Sequence, residues 1–119
     1  MTNPMKGEIQ VELAGKQYTC RLTIDSIIQI ETAVGAGIIK LAQRMSEGDV
    51  RITDMLQVLT PALRGGGNNL KLKDVTKLIG EAGIVETASA VALILTQTIA
   101  PEEAEDSGEA EEGKLDDAE

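Results

Sequence analysis

The stretch IQVELAGKQYTCRLTI, from Ile9 to Ile24, alternates apolar and polar residues on both sides of a Gly-Lys pair. No other feature of the chain constrains its fold as tightly. Successive side chains on a strand point to opposite faces, so this pattern predicts a β-hairpin with one greasy side. With Gly15-Lys16 as the two-residue turn, Leu13 pairs with Tyr18, Val11 with Cys20 and Ile9 with Leu22, all on that side. A glycine at the first central position suits the positive φ of a primed hairpin turn. The opposite side carries Glu8, Gln10, Glu12, Gln17, Thr19, Arg21 and Thr23, a pattern that suits water. Two strands alone are marginal in water, and no third alternating segment follows. Helices must therefore cover the apolar face.

The helical candidates follow in order. Asp25 and Ser26 are rival N-caps for a first helix, Ser26 with Gln29 matching a capping box, and Ile27, Ile30 and Val34 give its stripe. Gly35 to Gly37 break that helix. A second runs with Ile38, Leu41, Ala42 and Met45 inward and Gly48 as its stop. A third starts at Thr53 or Asp54, and Pro61 is expected to kink it or end it early. The run from Arg64 to Asn69, RGGGNN, follows a helix and lacks the Lys-Ser/Thr of a phosphate loop, so it reads as a flexible surface loop. A fourth helix is expected from Lys73 to Ala82. The fifth, Ile84 to Ala100, is apolar nearly all round from Ala88 to Leu95 and is expected to be enclosed by neighbours. The predicted class is α+β, mainly α: an N-terminal two-stranded antiparallel hairpin packed on a bundle of about five short helices, with a disordered acidic C-terminal tail. The corresponding segments are an N-terminal arm over 1–7, the hairpin and helical domain over 8–100, and the acidic tail over 101–119.

Charge sharpens this division. Residues 1–100 hold ten acids and ten bases, whereas residues 101–119 hold ten acids and only Lys114, so the whole net charge of −9 belongs to the tail. A neutral body has no basic stripe for phosphate, which argues against nucleic acid as a partner. Stacking platforms need aromatics, and Tyr18 is the only one; there is no Phe, Trp or His. Lack of histidine removes the commonest general base and transition-metal ligand. The pair Glu8/Glu12 lacks the apolar surroundings that tune an acid–base pair, and the cluster Glu102, Glu103, Glu105 and Asp106 lacks the glycine and ligand spacing of a calcium loop. The expectation is a protein without catalytic residues, metal or cofactor. A single inward-facing Cys20 excludes an internal disulfide. The opening MTNPMKGEI lacks the apolar core of a secretory signal, and no run of about 18 residues is free of charge. A cytoplasmic, non-membrane protein is expected.

Five residues stand out as candidates for binding a partner. Glu31 sits among isoleucines in IIQIETAVG; Met45 and Met55 carry adaptable side chains suited to the edge of an apolar groove. Thr19 and Arg21 lie on the second strand, and a two-stranded unit has two unpaired edges open to self-association or partner pairing.

The order of the elements, with NPMKGEIQVELAGKQYTCRLTI, the IETAVG step into IIKLAQRM, ITDMLQVLTPALRGG and LKLKDVTKLIGEAGIVETASAVALIL, resembles the small tail-assembly chaperones of long-tailed phages and gene transfer agents, a group sometimes labelled tail tube proteins. The resemblance covers about residues 3–99 and leaves the acidic tail outside. Lys71, where Ser or Thr is common in that family, and Pro61 depart from its pattern. The resemblance implies a non-enzymatic factor that binds the tape-measure protein and tail tube subunits in the host cytoplasm and is absent from the finished virion. Two other readings stand beside it: a minor structural component of the tail tube, and a cytosolic acidic-tailed adaptor unrelated to phage.

Overall fold

The computed structural model describes residues 7–100. The expected acidic tail and most of the expected N-terminal arm lie outside the described residues. Strands β1 (Ile9–Leu13) and β2 (Lys16–Cys20) form a two-stranded antiparallel sheet, and five helices follow: α1 (Ile24–Val34), α2 (Ile38–Ser46), α3 (Ile52–Gly65), α4 (Leu72–Ala82) and α5 (Ile84–Ile99). The expected class, α+β and mainly helical around an N-terminal hairpin, is the class observed.

The hairpin register differs from expectation. Leu13 pairs with Lys16, Val11 with Tyr18 and Ile9 with Cys20, so the turn is Ala14-Gly15. Both turn residues have positive φ, 53° and 83°, as a type I′ turn requires. Ala14 pays a steric cost there, which is why Gly-Lys looked the better turn. The pairing moved by two residues, and a shift of two keeps every side chain on its own face. Ile9, Val11, Leu13 and Cys20 are therefore still the buried set.

Helices cover that set. α5 packs chiefly on β1 and α2, while α3 packs on β2, α1, α4 and α5 and is the centre of the molecule. Its Met55, Val58, Leu59, Ala62 and Leu63 are fully buried, and burying side chains the size of the four larger ones stabilises by roughly 1.5–3 kcal/mol each.

Several local features were not as expected. Thr23, not Asp25 or Ser26, caps α1: its hydroxyl accepts from the Ser26 N–H at 3.1 Å. α3 begins at Ile52 and continues through Pro61 to Gly65, so it does not end early at the proline. Pro61 removes only the bond to the Gln57 carbonyl, and Gln57 is exposed, so water can replace it. The fifth helix is not enclosed. Thr87, Ala90, Val91, Ile94 and Leu95 face the core, but Val85, Ser89, Ala92, Leu93 and Thr96 form an exposed stripe.

The largest departure is the glycine run. It is a packed joint, not a flexible loop. A Cβ on Gly65 would collide with the Arg21 carbonyl oxygen, and one on Gly66 would collide with the Thr19 carbonyl oxygen. The Arg21 N–H donates to the Ala62 carbonyl at 2.8 Å, and the Asn68 side-chain amide donates to the carbonyls of Thr19, at 2.8 Å, and Leu63, at 3.1 Å. The C-terminal end of α3 is thereby fastened to the outer edge of β2.

Candidate functional site

An open groove of about 450 Å³ lies between α1, α3 and the start of α4. Ile30, Leu56, Pro61 and Leu72 supply its apolar lining, and Ser26, Gln29, Gln57 and Arg64 its polar one. Each is there for a local reason. Thr23 caps α1 so that Ile30 turns to the core while Ser26 and Gln29 flank it. Unbroken passage of α3 through Pro61 sets Leu56, Gln57 and Pro61 along one helix face. The α4 terminus is fixed by the Asp74 carboxylate, which accepts from the Lys71 N–H at 2.9 Å. Asp74 thus supports a terminus whose N-cap position is Lys71. Leu72, the first residue of that helix, remains 53% exposed at the groove rim. Among the described residues, no three His, Cys, Asp or Glu side chains come together as a metal site needs. The groove offers shape and apolar contact.

The five residues singled out from the sequence are not gathered in this groove. The Glu31 carboxylate reaches across the glycine break and accepts from the Ile38 N–H at 2.9 Å, so it caps α2, whose own N-cap is Gly37. Met45 and Met55 are core residues, 9% and 0% exposed, and not at a groove edge. Thr19 and Arg21 lie in the packed joint with α3; the Thr19 hydroxyl also donates to the Gln10 side chain at 3.1 Å.

The family described as "Phage tail tube protein, GTA-gp10" matches residues 6–100. The chain belongs to this family. The match spans both strands and all five helices and ends before the acidic segment. Neither a curated protein nor a solved structure gives a significant match. This phage tail tube family member therefore has a tail-related role, and the reading as an adaptor unrelated to phage is set aside.

Two further features of the family member bear on its surfaces. The expectation of two open strand edges is halved, because the β2 edge is occupied by the α3 joint and, among the described residues, only β1 retains an outer edge. The signal that could have revealed this is Gly65-Gly66 directly after a helix: adjacent glycines there mark close backbone approach as readily as a loop. The groove itself was harder to foresee. Its apolar residues come from three separate helices, and each looks like ordinary core spacing in the sequence.

Proposed function

We propose that this protein is a non-enzymatic tail-assembly chaperone, which binds the tape-measure protein, tail tube subunits or both during tail morphogenesis in the host cytoplasm and then leaves. The observation that carries this reading is the open groove between α1, α3 and α4, lined by both apolar and polar side chains with Leu72 exposed at its rim, on the body of a tail-family member. A long amphipathic helix awaiting its tube is an aggregation hazard, and an apolar groove on a small helical protein can shield one face of it. The acidic segment over 101–119, which holds ten acids and one base, supplies net charge that keeps such a complex soluble.

Co-expression with the tape-measure protein tests this directly. The expected outcome is that the tape-measure protein becomes soluble and co-purifies, and that Leu72→Glu at the groove rim lowers the captured amount at least fivefold without changing the circular dichroism spectrum. An insoluble partner, or capture indifferent to Leu72→Glu, overturns the groove reading. The family description favours a second reading, a minor structural component of the tail tube. Mass spectrometry of purified particles separates the two: stoichiometric presence supports the structural component, and absence supports the chaperone.

A further inference from the structure

The hairpin has one edge that nothing in the described fold uses. Thr19 pairs with Gln10, and the Thr19 carbonyl points away from β1, toward Asn68. The pair Gln10/Thr19 is therefore of the kind that exchanges no ladder hydrogen bonds, and the N–H and C=O groups of Gln10 point away from β2. The same holds two residues on for Glu12, opposite Gln17. Among the described residues, no backbone hydrogen bond from another element reaches Gln10 or Glu12. This edge opens onto a groove of about 310 Å³ between β1 and α5. Val11, Ala90 and Leu93 give the groove its apolar contacts, and Leu93 is 40% exposed. The charged residues that line it are Glu12 and Glu86, and no lysine or arginine does.

We propose that the β1 edge is a strand-addition site for an extended partner segment in which basic and apolar side chains alternate. Backbone groups of Gln10 and Glu12 supply the ladder that any extended chain can join, and the side chains beside it select which one. An alternating segment sends one set of side chains toward α5, where Ala90 and Leu93 share a helix face with Glu86 beside Val11, and the other toward Glu12 on the outward face. Charge also argues against a second copy as occupant. Antiparallel β1–β1 pairing centred on Gln10 sets Glu8 against Glu12 of the other copy, and centring on Glu12 sets that residue against itself. Centring on Val11 avoids direct opposition but still assembles acids alone, and like charges across a sheet are destabilising. The surface lies apart from the α1–α3–α4 groove, so this inference and the chaperone reading fail separately.

Nuclear magnetic resonance of the full chain tests it, with an eight-residue peptide of alternating lysine and valine as probe and a peptide of alternating glutamate and valine as control. The expected result is that the lysine peptide shifts the amide signals of Gln10 and Glu12 and slows their hydrogen exchange at least tenfold, while the glutamate peptide does neither. Glu12→Lys with Glu86→Lys, two surface changes, should weaken lysine-peptide binding at least fivefold, and Gln10→Pro should abolish protection at Glu12. Shifts confined to residues 101–119 would assign the peptide to the acidic segment and overturn the proposal. Protection of Gln10 and Glu12 that grows with protein concentration before peptide is added would make a second copy the occupant, and would also overturn it.

Discussion

Gly66 and Gly80 are both helix-associated glycines, yet their surroundings require opposite outcomes on substitution. A Cβ at Gly66 lands on the Thr19 carbonyl and beside the Cys20 Cα, and both are backbone, so neither can rotate away. Gly66→Ala should cost about 3 kcal/mol, read as a lowered urea midpoint. Gly80 sits inside α4 with nothing near its missing Cβ, and Gly80→Ala should stabilise by about 0.7 kcal/mol, read as a higher melting temperature. Cys20 gives a second test at this scale. It is fully buried, and that burial pushes its thiol up to about 12 from 9.0. The unfolded chain releases this proton at lower pH than the folded one. Stability from this group is therefore complete below about pH 9 and is lost as pH climbs toward 12. Urea midpoints followed over that window should fall, and Cys20→Ala should flatten the fall. Folded protein at pH 8 should resist thiol labelling until it is unfolded.

At the scale of elements, α2 and α3 are joined by a charge pair that their amphipathic patterns do not announce. The Arg44 guanidinium donates to the Asp54 carboxylate at 2.6 Å, with side chains 19% and 10% exposed. The Arg44 Nε is buried and has no hydrogen-bond partner, so the guanidinium depends on this one carboxylate. Asp54→Ala should cost about 3 kcal/mol, because it leaves a partly buried cation without its counter-charge. Adding Arg44→Met should recover more than half of that, which a double-mutant cycle by urea denaturation measures. The same pair illustrates what the sequence made legible. Helix positions followed from apolar spacing, and all five helices lie within a few residues of their expected spans. Caps and pairs such as Thr23, Glu31–Ile38 and Arg44–Asp54 depend on which polar group comes to face which, and several partners compete equally on paper. The hairpin shows the one kind of error that does little damage: its turn moved, yet period-two alternation kept its buried face intact.

For the whole molecule, charge and surface decide behaviour. Residues 1–100 carry no net charge, so ending the chain at Ala100 takes the total from −9 to zero. The solubility minimum should then move from the acid range, where the full chain has its isoelectric point of about 4.5, to near neutral pH. Precipitation by polyethylene glycol across pH checks this. Membership in a tail family was legible from the order and spacing of segments over most of the chain. The candidate surfaces were not. The groove collects residues from three helices, and the open edge exists because one flank of the hairpin is closed by a joint the glycine run disguised. Surfaces of this kind arise from packing, and composition averages them away.

The joint between β2 and α3 also governs when the protein can fold as it leaves the ribosome. Asn68 and Thr19 are 49 positions apart, so the hairpin is translated long before its fastening exists. The apolar face of β1 waits longer still: Ile9, Val11 and Leu13 are covered chiefly by α5, which is translated last of the five helices.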